Sequence, residues 1–185
     1  NVSGMVKGKM KLVFAEILGE LKASGYRVSA RLLNAMYFNV PQSRERMIFV
    51  GVREDLGIEP SHPAAESVPT SARDCIKFDG RVIPPQSEKR IRAHPLHKGA
   101  INVDKPFPTI TKRYGNLGND KPYLEHDGRL LEISPQEASM LASFGSHYHW
   151  LGSTRDVFDR IGNSVPPLFM RSIALHVRQE ILSRL

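Results

Sequence analysis

Cysteine is almost absent from this chain: Cys75 is the only one in 185 residues. That excludes an internal disulfide and a cysteine-based zinc site, and it suits a reducing cytosol. No apolar run approaches the roughly 18 residues of a membrane helix. The first residue is Asn1, with no basic-then-apolar signal pattern after it, so a cut or trimmed end is expected there. Acidic residues are scarce where basic ones gather. Between Arg81 and Arg113 only Glu88 and Asp104 oppose Arg81, Lys89, Arg90, Arg92, Lys98, Lys105, Lys112 and Arg113. His94, His97, His147 and His149 have no cysteine or convincing carboxylate grouping beside them, so no metal site is expected. There is no internal repeat.

What is present is ordinary for a globular protein: 41% hydrophobic and 24% charged residues. The net charge of +7 and a pI near 9.7 favour a polyanionic partner, most often nucleic acid. A merely soluble basic surface is the plain alternative. Leu12, Val13, Ile17, Leu18 and Leu21 recur at helical spacing, and Gly25 ends that amphipathic helix. Strands are expected at Tyr26 to Leu33 and at Glu45 to Arg53. The second is apolar on both faces and therefore central in a sheet. From Glu54 to about Gly128 the texture changes: prolines at 60, 63, 69, 84, 85, 95, 106, 108 and 122, with glycines at 99, 115 and 118, keep regular elements short. This basic, loop-rich stretch reads as a recognition lobe or as a solvated insertion. Order returns with Ser134, Pro135 and Glu137, a capping box opening a helix that runs to about Phe144. Ser153 or Thr154 caps another helix ending near Ile161. Pro166-Pro167 starts the last helix, whose stripe of Phe169, Ile173, Val177 and Ile181, broadened by Leu168, Leu175 and Leu182, suits core packing.

Two dense motifs stand out. Pro41-Gln42-Ser43-Arg44-Glu45-Arg46 leads into the apolar run Met47 to Val52. Residues two apart on a strand point the same way, so Arg44 and Arg46 are expected to project together. A buried guanidinium pair needs acidic or hydrogen-bond-accepting partners, and an ion pair with Glu45 or a nearby carboxylate is the structural alternative to a binding role. Far downstream lies Arg160-Ile161-Gly162-Asn163-Ser164-Val165-Pro166-Pro167. Glycine lets backbone approach a ligand and asparagine offers both donor and acceptor. A helix stop before a proline-started helix explains the same residues.

With these motifs in view, the chain resembles the C-terminal part of a DNA cytosine-5 methyltransferase of bacterial modification type. Asn1-Val2 resembles the end of the family's Glu-Asn-Val motif. Pro41 to Arg46 resembles its Gln-x-Arg-x-Arg motif. Arg129-Leu130-Leu131 with Ser134-Pro135-Gln136-Glu137-Ala138 resembles Arg-x-Leu-Thr-x-Arg-Glu-Ala. Gly162 to Pro167 resembles the final Gly-Asn-(Ala/Ser)-Val-Pro-Pro, and Pro108-Thr109-Ile110 the short Thr-(Leu/Ile) signature of the target-recognition region. There are departures. No Pro-Cys pair occurs, and Cys75 stands in the wrong context for the nucleophile. Gln136 replaces an arginine, and Ala142-Ser143-Phe144-Gly145 replaces the usual Gln-Gly-Phe-Pro.

The resemblance implies an α/β fold: a partial Rossmann-like S-adenosylmethionine-dependent methyltransferase fold with an inserted target-recognition lobe. It divides the chain into the C-terminal part of a catalytic domain at 1–53, a DNA-binding lobe at 54–128, and final motifs returning to the catalytic domain at 129–185. In the family, a cysteine thiolate adds to C6 of a flipped cytosine so that C5 can take a methyl group, and an arginine stabilises charge developing at O2. The resemblance makes Arg46 that donor in the target-cytosine pocket, with Arg44 bracing the pocket and Gln42 contacting the active-site loop or nearby backbone. It makes Asn163, Ser164 and Val165 contacts to S-adenosyl-L-methionine, and Thr109, Arg90, Arg92, Lys112 and Arg113 contacts to duplex DNA. It further implies a partner N-terminal portion carrying the Pro-Cys and first cofactor motifs, without which this chain is inactive, and a bacterial cytoplasmic location. An RNA (tRNA) cytosine-5 methyltransferase on the same scaffold and a non-catalytic DNA-binding module are the alternatives.

Overall fold

The computed structural model describes residues 10–66, 68–95, 99–112, 114 and 121–185. Asn1-Val2, His97, Lys98, Arg113, Gly115 and Gly118 lie outside the described residues. The chain divides into two compact units. One comprises the described part of Asn1–Asn34, with Glu45–Ala65 and Met170–Leu185; the other comprises Ala35–Arg44 and Glu66–Phe169.

In the first unit, helix α1 (Met10–Ala23) ends where the sequence places its stop. Gly25 takes a left-handed φ of 82°, and its N–H donates to the Lys22 carbonyl at 3.0 Å. Strands β1 (Tyr26–Asn34) and β2 (Glu45–Arg53) pair antiparallel over their whole length, from Tyr26 opposite Arg53 to Asn34 opposite Glu45. The expectation that β2 is central in a sheet is not met among the described residues: the sheet has two strands. The face of β2 that carries Val50 and Val52 is closed by packing. Val50 and Val52 are buried with Ile181, and Ile48, Ile58 and Val177 pack around them. Helix α1 leaves Leu12, Val13, Ile17 and Leu21 exposed, and its Phe14 ring meets Phe49 at 5.6 Å between centroids.

The second unit holds the larger core, around Phe107, Ile110, Leu131, Leu141, Phe158 and Ile161. Helix α2 (Pro85–Arg92) lies in the proline-rich stretch, where the sequence promised only short elements. Its Ile91 packs with Ile83, Tyr123 and Leu130. Strands β3 (Leu124–His126) and β4 (Arg129–Leu131) form a hairpin. Asp127 and Gly128 turn it with φ of 50° and 74°, as expected for an Asp-Gly pair at a tight hairpin.

Helices α3 (Pro135–Leu141) and α4 (Thr154–Asn163) both begin with complete capping boxes, from Ser134 with Glu137 and from Ser153 with Asp156. Helix α3 stops three residues before the expected Phe144. Ser143 adopts a left-handed φ of 62°, its N–H donates to Met140, and that of Phe144 donates to Ser139 at 3.0 Å. This is the helix-ending geometry that usually takes glycine, so the departure at Ser143 keeps the turn at the cost of backbone strain. The Ser143 hydroxyl in return accepts the Leu168 N–H at 3.1 Å. Helix α5 (Pro167–Glu180) starts at the second proline of the pair. Phe169, Ile173 and Ile181 of its stripe are buried, whereas Leu168 and Leu182 are exposed. Among the described residues, no helix is long and apolar enough to cross a membrane.

Candidate active site

Residues 41–44 run alongside residues 107–110 of the same unit. The Phe107 N–H donates to the Pro41 carbonyl at 3.0 Å, and the Ser43 N–H to the Phe107 carbonyl at 2.8 Å. The Thr109 hydroxyl closes the pairing on the Ser43 carbonyl at 2.6 Å. Gln42 is buried, and its side-chain carbonyl accepts the Ile110 N–H at 3.3 Å. Its amide nitrogen reaches the Leu141 carbonyl at 3.5 Å, at the end of α3.

Arg44 is the centre of this arrangement. It is 2% exposed, a costly place for a charge unless hydrogen bonds compensate. One terminal nitrogen, Nη1, donates to the Ile110 carbonyl at 2.9 Å. The other, Nη2, donates to the Gly162 carbonyl at 2.7 Å and the Ser164 carbonyl at 2.8 Å. Hydrogen bonds to a charged group are worth about 1.5–3 kcal/mol each. The planar fork of arginine suits acceptors spread this way.

Arg44 and Arg46 make different hydrogen bonds. Arg44 precedes β2, and its guanidinium is spent on backbone carbonyls. Arg46 lies within β2, opposite Leu33. It is only partly buried, and its Nη1 donates to the Glu45 carbonyl at 2.7 Å. Partial burial holds its pKa below the usual arginine value, yet it stays charged at neutral pH. Neither guanidinium has a bond to the Glu45 carboxylate among the described interactions.

Gly162 also departs from the expected turn. Gly162 and Asn163 form the last turn of α4, and the chain leaves the helix at Ser164, with φ −73° and ψ 161°. A Cβ on Gly162 would lie 2.2 Å from the Lys112 nitrogen and 2.4 Å from the Thr111 carbonyl carbon. The glycine thus admits another stretch of this chain, a closer reason for it than ligand approach. The Ser164 hydroxyl caps the Ile161 carbonyl at 2.8 Å. Asn163 and Val165 are exposed on either side of it, and the Asn163 amide makes no hydrogen bond among the described residues.

The basic lobe is more paired than its sequence suggests. Glu88 is buried on α2 and takes Arg92 at 2.8 Å and Arg129 at 3.0 Å. Arg92 also reaches Glu125 at 3.0 Å, and Arg129 donates to the Ile83 carbonyl at 2.8 Å. This clamp ties α2 to the β3–β4 hairpin. Sequence reasoning missed it, because Glu88 read as one of two stray acids; its i,i+4 spacing to Arg92 was the available signal. Lys89, Arg90 and Lys112 are exposed. Glu137 likewise does more than cap its helix: besides the Ser134 N–H it accepts those of Lys77 and Phe78, all at 2.8 Å. Cys75 is half-buried at a 3₁₀ turn, and burial pushes its thiol above the ordinary value, the opposite of what a nucleophile needs. Among the described residues no group of three or more His, Cys, Asp or Glu side chains could hold a metal ion.

Residues 1–105 match the family model described as C-5 cytosine-specific DNA methylase. The chain belongs to this family. It is 30% identical to the Type II methyltransferase M.AplI of Arthrospira platensis, over 98% of this chain and 56% of that protein. It is 41% identical to the Type II methyltransferase M.BsuRI of Bacillus subtilis, over 94% of this chain and 47% of that protein. The chain thus spans about half the length of these curated relatives. Among solved structures it is similar to S. pombe Dnmt2 methyltransferase, with a TM-score of 0.67 and 16% identity, over 99% of this chain and 66% of that one. A mutant of Spodoptera frugiperda DNMT2 gives a TM-score of 0.70 at 19% identity, over 96% and 64%. The fold class is that of the S-adenosylmethionine-dependent methyltransferases, and members of the family use S-adenosyl-L-methionine as methyl donor.

Proposed function

We propose that this chain is the portion of a bacterial, cytoplasmic DNA cytosine-5 methyltransferase that supplies part of the target pocket, the recognition lobe and the closing contacts of the cofactor site, in a restriction-modification setting. One observation carries this reading. Arg44, with Gln42 beside it, joins residues 41–44, 109–110 and 162–164, three segments far apart in sequence. They are the segments assigned to the target cytosine, the DNA and the cofactor.

Arg46 is the donor for the target base. A half-buried guanidinium beside a reacting ring stabilises charge developing at O2 far better than water-exposed charge does. Thr109, Arg90, Lys112 and Arg113 belong to the DNA side. Asn163 and Val165 fit the cofactor: an exposed amide next to an exposed aliphatic side chain offers one polar and one apolar contact, on backbone held by a buried guanidinium. S-adenosyl-L-methionine, when bound, supplies an electrophilic methyl group. The nucleophilic cysteine comes from an N-terminal portion carrying the Pro-Cys motif, because no Pro-Cys pair occurs in this sequence.

The test is methyl transfer by this chain alone and after mixing with an N-terminal portion from a matching relative, with duplex DNA and tRNA as acceptors. Transfer to cytosine C5 of duplex DNA only in the mixture is the expected result. Transfer by the chain alone refutes the missing nucleophile, and preference for tRNA replaces the substrate.

A further inference from the structure

The family resemblance has Arg44 brace the target-cytosine pocket. From its bonds we infer instead that Arg44 is a positioning residue for the cofactor-side segment Gly162–Val165, which it holds in register with Ile110 of the recognition side. The inference rests on the proposed cofactor role of Asn163 and assigns that role a support.

The geometry is specific. A guanidinium Nη carries two hydrogens, and those of Arg44 Nη2 go to the carbonyls of Gly162 and Ser164. These two carbonyls flank Asn163. Pinning both to one nitrogen fixes the backbone on each side of the asparagine, and with it the direction in which the exposed amide leaves the chain. Nη1 holds the Ile110 carbonyl at 2.9 Å, next to Thr109, whose hydroxyl is bonded to Ser43. The rigid fork of the guanidinium therefore sets the spacing between residue 110 and residues 162–164. Gly162 permits that spacing, because any larger residue would strike the backbone of Thr111 and Lys112. An arginine that reads a base must present N–H groups outward. Arg44 is 2% exposed and turns both terminal nitrogens onto its own chain.

The experiment uses the assembled methyltransferase, with Arg44→Lys, Asn163→Ala and the double variant. Lysine keeps the charge and removes the fork. Titration calorimetry with S-adenosylmethionine gives cofactor affinity, and single-turnover transfer at saturating cofactor gives the chemical rate. Arg44→Lys is expected to raise the cofactor dissociation constant about tenfold or more, with the saturated rate changed less than threefold. In the double variant the two effects should fail to multiply, because both act through one segment. A saturated rate that falls while cofactor affinity holds overturns the inference and returns Arg44 to bracing the target-cytosine pocket. So does a double variant whose effects multiply.

The two readings fail separately. Unchanged affinity in Asn163→Ala with weakened affinity in Arg44→Lys refutes the asparagine contact and leaves Arg44 positioning the rest of the segment. The reverse pattern keeps the contact and refutes the positioning role. If Arg44→Lys does not fold, hydrogen exchange in the unaltered enzyme decides: cofactor binding should slow exchange at 162–165 and at 110–111 together. Slowing at 162–165 alone overturns the inference.

Discussion

Replacing Gly162 by alanine tests the packing that brings the site's segments together, because two opposing effects differ in sign. In an open helix, glycine to alanine stabilises by about 1 kcal/mol. At Gly162 the new methyl group would sit 2.2 Å from the Lys112 nitrogen, 2.4 Å from the Thr111 carbonyl carbon and 2.6 Å from the Lys112 Cα. Ordinary contact is about 3.5–4.0 Å, and backbone atoms cannot rotate aside as a side chain can. The last turn of α4 or residues 111–112 must therefore move by on the order of 1 Å, which costs about 1–3 kcal/mol as overpacking. The movement also stretches the bond from Arg44 to the Gly162 carbonyl, worth about 1.5–3 kcal/mol. The net expectation is a loss of roughly 2–4 kcal/mol, read as a lower urea midpoint at unchanged slope. Gly19 in α1 is the control: nothing lies within 4 Å of its Cβ position, so Gly19→Ala should stabilise by up to about 1 kcal/mol. A neutral or stabilising Gly162→Ala beside a stabilising Gly19→Ala would refute the close approach.

Three further outcomes follow from the second unit. Glu137→Gln should destabilise by about 2–3 kcal/mol in urea unfolding, since an amide cannot accept from three backbone N–H groups with both of its ends; an unchanged midpoint would contradict that. The Arg129 guanidinium, with Arg92 second and burial opposing, holds the Glu88 carboxyl below the usual glutamate range. A depressed folded pKa gives stability that is complete above the unfolded value of about 4.3 and lost as pH falls through the folded value. Glu88→Gln should accordingly show a shallower fall of Tm below about pH 4.3 than the unaltered chain, and equal steepness would count against the clamp. On the proposed DNA side, Lys89→Ala with Arg90→Ala should flatten the salt dependence of duplex binding by roughly one to two units of slope. Arg92→Ala should instead lower Tm and leave that slope in place, because Arg92 is committed to Glu88 and Glu125; equal loss of slope in both would return Arg92 to the phosphates.

What could be read from sequence was local. The bounds of β2, the capping box at Ser134 and Glu137, the Ser153 cap and the proline-started last helix all depend on residues within one turn or one strand of each other. The partners of Arg44 are of another kind. Ile110, Gly162 and Ser164 lie 66, 118 and 120 residues away, and no periodicity reports such a meeting. The same limit explains Gly162, which read as a ligand-approach glycine until Thr111 and Lys112 were seen against it. It also explains Arg92: a basic run looks like one surface in sequence, and only the fold shows that a buried Glu88 pairs with one arginine of it. Ser143 is a case where family pattern and structure agree on geometry while the residue differs, since serine holds the left-handed position at which the pattern has glycine.

On the proposed function, Arg46 serves the chemistry of methyl transfer while its neighbour Arg44 serves architecture. Single-turnover methyl transfer to duplex DNA by the assembled enzyme carrying Arg46→Ala is the deciding assay. The rate should fall by on the order of 10²–10³, as for loss of one preorganised donor. Tm and the dissociation constant for duplex DNA should change little, since phosphate contacts dominate binding. An unchanged rate, or loss of folding together with activity, would contradict it.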